Sequence, residues 1–277
     1  MLYATPPPWV QVPITTPSSQ VLSGPLETAL PPTVNLVFVC HPVDGDPHFI
    51  IRLPGSNMDV CFNIDSKPGH ILSLVSDMGT GVVVNGQLIS SKQPHKNRVS
   101  SYFGIISVYH QPAGVTSCSA LIGPQSSASC YSVTISIVKN SHVTVTIDNS
   151  IRVTVLLHRV WRKHPVNVDF LGLYIPSNNQ YSPLVHGLIG QFSREPEVSV
   201  YDVHEGPDPL KEEATMEVKG HTLRVTRYFL LLKDFRHDRK RGSNVYCWFV
   251  HNSGKGFIDG RYGDYIMPDL NSFLQTV

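Results

Sequence analysis

Gly45-Asp46-Pro47-His48 puts a carboxylate, a tertiary amide and an imidazole within four positions. The amide nitrogen of Pro47 has no hydrogen to donate, is more easily twisted than a secondary amide, and leaves as a more basic amine. The Asp46 carboxylate stands next to its own carbonyl carbon. Attack there closes a five-membered cyclic anhydride and expels the Pro47 nitrogen, with no external water or protease needed. His48 follows at once and has the chemistry to hand the departing nitrogen a proton near neutral pH. Gly45 permits the backbone dihedrals that such an approach demands. The competing reading is an ordinary Asp-Pro turn beside a solvated histidine, and for four residues taken alone that is the commoner case.

No other catalytic machinery is legible. The sequence has no Gly-X-Ser-X-Gly elbow, Walker loop, dinucleotide fingerprint or HExxH pair, which argues against an enzyme that turns over. His158, His164, His186, His204 and His251 lack the tight spacing of a zinc site, so neither a metal nor another cofactor is expected.

The elements that would position this segment read as β-strands. Residues 1–35 are rich in Pro, Ser and Thr without an apolar period, the pattern of an extended, disordered linker. From there a single domain over 36–270 is expected. It consists of short Val-, Ile- and Thr-rich runs cut by Gly, Pro and Asn every 8 to 12 residues or so. Phe49 to Leu53, Tyr131 to Ile137 and Val143 to Ile147 are such runs. Ile151-Arg152-Val153-Thr154-Val155 alternates at period two after a turn at Asn149 and Ser150. Asn85-Gly86, after Gly81 to Val84, carries a hairpin signal. Helical signal is confined to one possible turn over 208–214, an ambiguous stretch over 225–232 and a terminal turn over 268–274. The fold class is therefore mainly β, an antiparallel sandwich.

Composition narrows the function classes. A length of 277 residues with 41% apolar content is enough to bury a sizeable core. The 22 basic and 21 acidic side chains leave a net charge of +1, so no global field draws the protein to nucleic acid or to an anionic membrane. No apolar run approaches the roughly 18 residues that span a bilayer. The first ten residues lack the basic and apolar regions of a signal peptide.

Several segments, in order, are similar to the C-terminal region of inter-alpha-trypsin inhibitor heavy chains. They are Val43 to Ile51 with Leu53-Pro54, Cys61-Phe62-Asn63-Ile64, Val84 to Ile89, Tyr102-Phe103-Gly104, Leu157 to Trp161 and Asp169 to Gly172. His186 to Phe192, Pro207-Asp208-Pro209, Cys247 to Asn252 and Ile258 to Tyr265 follow. The resemblance implies a secreted, extracellular-matrix protein whose signal sequence and von Willebrand type A domain lie upstream. It also implies cleavage between Asp46 and Pro47, with the Asp46 α-carboxyl esterified to chondroitin sulfate and passed on to hyaluronan. Pro47 would then begin the released part and His48 would be the proton donor. Protease inhibition in such complexes is expected of a separate Kunitz-type light chain. Gly-Asp-Pro-His and Gly187 to Gly190 also look like a von Willebrand type D module, though without its dense cysteines. A type D-like interaction module that is never cut is the alternative function.

The five cysteines are read within that resemblance. Cys61 and Cys247 lie in matched segments beside strand-like runs, and their pairing would close a long loop. Cys118 and Cys130 flank a Ser-rich insert where a short disulfide is sterically easy, with two free thiols as the alternative. Cys40, the odd one, either pairs with an upstream domain or stays buried and inert in a strand, and the second is expected. Arg236, Arg239, Lys240 and Arg241, with His237, form the densest basic run. They offer donors to glycosaminoglycan sulfates, although such runs are more often solvated loops.

Overall fold

The structure is a computed structural model and describes residues 36–40, 47–53, 58–91, 100–111, 118–122, 127–129, 133–138, 142–159, 168–194, 196–228, 233–234 and 243–275. The 1–35 linker therefore lies outside the described residues. The strands, in sequence order, begin with β1 (Leu36–Cys40), β2 (His48–Leu53), β3 (Met58–Asn63), β4 (Ile71–Asp77), β5 (Val82–Ser90), β6 (Ser101–His110) and β7 (Cys118–Ile122). Next come β8 (Ser127–Ser129), β9 (Val133–Val138), β10 (His142–Ile147), β11 (Ile151–His158), β12 (Phe170–Pro176), β13 (Val185–His186) and β14 (Val198–Glu205). The last are β15 (Lys211–Val218), β16 (His221–Tyr228), β17 (Lys233–Asp234), β18 (Ser243–Asn244), β19 (Cys247–Val250) and β20 (Ile266–Met267).

Two sheets carry the fold. One has 11 strands in the order β14-β15-β16-β19-β3-β2-β1-β12-β11-β10-β9. The other has seven, β13-β4-β5-β6-β7-β8 with β20 also paired to β4. The alternation of side chains along a strand sends one face of each sheet inward. Phe49, Ile51, Leu53, Val60 and Phe62 from the larger sheet meet Leu72, Leu74, Val84, Phe103 and Ile106 from the smaller one in one continuous core. The core continues to Leu274, whose N–H donates to the Ser76 hydroxyl.

The β-rich, antiparallel sandwich agrees with the sequence pattern, and so does the meander β9-β10-β11. In β10 and β11 the buried residues Val143, Val145, Ile147, Ile151, Val153 and Val155 alternate with outward-facing ones. Asp148 and Asn149 take left-handed dihedrals in the connecting turn, which short polar side chains tolerate.

Two expectations are corrected. Asn85-Gly86 is not a hairpin turn but lies inside β5, because Asn85 is buried and donates to the carbonyls of Leu270 and Ser272. The turn falls earlier, at 78–81, where Asp77 pairs with Val82. Only 208–210 form a turn. Lys211 to Ala214 are strand, since cross-strand pairing with β16 outweighs local helix preference. The antiparallel pattern has one exception among the named strands, because β3 and β19 run parallel. The stretch from Val225 resolves as strand up to Tyr228.

Asp77 shows how the β4–β5 turn is held. Its buried carboxylate accepts bonds from the Gly79 N–H (3.0 Å), the Thr80 hydroxyl (2.7 Å), the Ser182 N–H (2.7 Å) and the Ser182 hydroxyl. Burial raises its pKa, but the bonds from Ser182 and Thr80 outweigh that and hold it below the ordinary value. The stability this charge contributes is thus present above the ordinary carboxylate range and is lost as pH falls through the lowered value. Asp77→Asn is expected to cost about 1–3 kcal/mol at neutral pH and to flatten the acid limb of stability, measured by urea unfolding between pH 2 and 7.

Candidate functional site

The Gly45-Asp46-Pro47-His48 segment falls in the connection between β1 and β2. Gly45 and Asp46 lie outside the described residues, whereas Pro47 and His48 are buried at the start of β2. The Pro47 carbonyl accepts the Ile64 N–H at 3.0 Å, which fixes the first residue after the Asp46-Pro47 bond to the end of β3. β1 lies on the other side, with Cys40 opposite His48.

On the face of the larger sheet away from the core, β2 and β3 present three directly opposed pairs: His48 with Asn63, Ile50 with Cys61, and Arg52 with Asp59. His48 is 1% exposed, and its Nδ1 lies 2.5 Å from the Asn63 Oδ1. Its ring is parallel to that of Phe249 on β19, with 5° between the planes and 6.1 Å between centroids. Arg52 and Asp59 close the row with bonds of 2.8 and 2.6 Å.

Cys61 and Cys247 form a disulfide, the pairing expected of the matched segments, and tie β3 to β19 over 186 residues of sequence. With Ile50, Leu156 and Tyr174 they make a small second apolar cluster. His48 has a ring nitrogen within 4.8 Å of both sulfurs, the one group of potential metal ligands among the described residues. Sulfurs joined to each other are not thiolates, so this group as it stands does not have a metal's ligand chemistry.

The other sequence candidates are placed only in part. Cys118 opens β7, Cys130 lies outside the described residues, and so do Arg236, Arg239, Lys240 and Arg241. Two partners of His48 were missed. Asn63 was readable in principle: a hairpin centred on the turn-forming Pro54-Gly55-Ser56-Asn57 puts 48 opposite 63. Phe249 had no such signal, because it arrives from the far end of the sequence.

A second polar cluster joins two other matched segments. Asp259 accepts from Lys219 Nζ at 2.7 Å and pairs with His186 Nε2 at 3.1 Å, while Gln191 bridges the Asp259 N–H, Lys219 and the Tyr265 hydroxyl. Burial raises the Asp259 pKa, but Lys219 and His186 outweigh it and hold it low. This network is a clasp that ties the turn after β13 and Lys219 to the C-terminal segment.

Residues 121–252 match the family model that describes the C-terminus of the inter-alpha-trypsin inhibitor heavy chain. The protein belongs to the inter-alpha-trypsin inhibitor heavy chain family and represents its C-terminal region. It is 50% identical over 287 residues to inter-alpha-trypsin inhibitor heavy chain H2 of Sus scrofa, covering 97% of this chain and 30% of that protein. Against H2 of Homo sapiens it is 47% identical, over 99% of this chain and 29% of the relative. Against H3 of Rattus norvegicus it is 42% identical, over 82% and 27%. The chain thus spans less than a third of the length of these relatives.

The disulfide predicts a measurable stabilisation. Replacing Cys61 and Cys247 together by alanine is expected to cost about 2–5 kcal/mol in guanidinium unfolding, because the unfolded chain regains the freedom of a very long loop.

Proposed function

We propose that this chain is the self-processing C-terminal region of a secreted heavy chain. In this reading the Asp46-Pro47 bond breaks once, and Asp46 is left as the residue that becomes ester-linked to chondroitin sulfate on the way to hyaluronan. The Asp46 carboxylate attacks its own carbonyl, Pro47 departs as an amine, and a sugar hydroxyl opens the anhydride to the ester. The work in the matrix belongs to the heavy chain that ends at Asp46, and any inhibition of proteases to a Kunitz-type light chain in the same complex.

The observation that carries this reading is the way the leaving side of the bond is held. Pro47 is buried with its carbonyl bonded to Ile64, and His48 is fixed against Asn63 and Phe249. A solvated turn beside a loose histidine would look different. Family membership supports it independently.

Mass spectrometry of this region secreted within a full-length heavy chain should find a fragment that begins at Pro47. Asp46→Asn should abolish the fragment, and His48→Ala should slow its appearance by roughly 100-fold or more, the usual share of a general acid. An intact parent chain that still binds hyaluronan or heparin would favour the uncut interaction module instead.

A further inference from the structure

We propose that Asn63 is the positioning residue for His48 in the breaking of the Asp46-Pro47 bond, an inference that rests on the self-cleavage reading above. A neutral imidazole carries its proton on either nitrogen, and the hydrogen bond made by one nitrogen decides what the other can do. The Asn63 Oδ1 is an acceptor only, so at 2.5 Å it selects the tautomer with the proton on Nδ1. Nε2 then holds the lone pair and becomes the atom that takes up a proton and delivers it.

The surroundings make this a fixed arrangement. His48 and Asn63 are opposed in register on neighbouring strands, so the backbone ladder sets their approach. Phe249 lies parallel to the imidazole and restricts rotation of its plane. The Cys61–Cys247 bond joins the strands that carry Asn63 and Phe249, so both walls of the His48 site are covalently coupled.

In the step itself, an Asp46 carboxylate oxygen bonds to the Asp46 carbonyl carbon, and the bond from that carbon to the Pro47 nitrogen breaks. The electron pair goes to nitrogen, which takes the proton from Nε2 of the His48 imidazolium. A cyclic anhydride and a proline amine result, and the neutral His48 left behind is the Nδ1–H tautomer that Asn63 accommodates.

Two measurements test this. In the otherwise unchanged protein, Asn63→Leu should lower the first-order cleavage rate about 10- to 100-fold, as loss of an orienting partner does elsewhere, while Asn63→Asp, which keeps the acceptor, should recover most of the rate. In an Asp46→Asn variant that stays whole, nitrogen-15 NMR of His48 should report Nδ1 as the protonated nitrogen, and Asn63→Leu should remove that preference. Should the leucine variant not fold, the aspartate variant and the tautomer in the Asp46→Asn protein decide. A His48 protonated on Nε2, or cleavage indifferent to both substitutions, overturns the role of Asn63 alone. A parent protein that never cleaves overturns the self-cleavage reading along with it.

Discussion

The parallel pairing of β3 with β19 is the contact on which the larger sheet depends. Its four registered pairs, Cys247 with Asp59 through Val250 with Phe62, join the block β14-β15-β16-β19 to the block that runs from β3 to β9. Without them the 11-stranded sheet is two sheets. Residues nearly the whole domain apart must meet to make this seam, and the entropy of closing so long a loop is set against only a few backbone bonds. The Cys61–Cys247 bond spans the same two strands and keeps that loop closed even in the unfolded protein, which lifts the cost from folding. It therefore sits where a covalent bond changes most.

The same seam builds the surroundings of His48. A hairpin alone supplies Asn63, but the second wall, Phe249, is brought in by β19 together with Cys247. Completion of the sheet and the second wall of the His48 site thus rest on the same strand. By contrast, the clasp of His186, Lys219, Asp259 and Gln191 pins the C-terminal segment over the core and has the features of a structural tie.

What the sequence revealed follows the range of each interaction. Strands with period-two alternation were legible because burial of one face is a local pattern, as in Ile151 to Val155. Asn85-Gly86 misled because its turn preference is local, while the burial that overrides it comes from carbonyls at Leu270 and Ser272. At the site, Asp46, Pro47 and His48 stood out through covalent chemistry that needs no fold. Asn63 required a strand register, and Phe249 required a parallel pairing that no local signal encodes. The Cys61–Cys247 pair was foreseen only through resemblance, since five cysteines alone leave many pairings open.

The place of β1 has a consequence for what a cut at Asp46 would accomplish. β1 precedes that bond in the sequence, yet in the sheet it lies between β2 and β12, with Phe38 opposite both Ile50 and Tyr174. Breaking the backbone between β1 and β2 would leave a nicked protein of two polypeptides that share one continuous sheet. The upstream piece would leave only by drawing an interior strand out of its ladder. Scission and parting are then separate events, and the second has a mechanical barrier of its own.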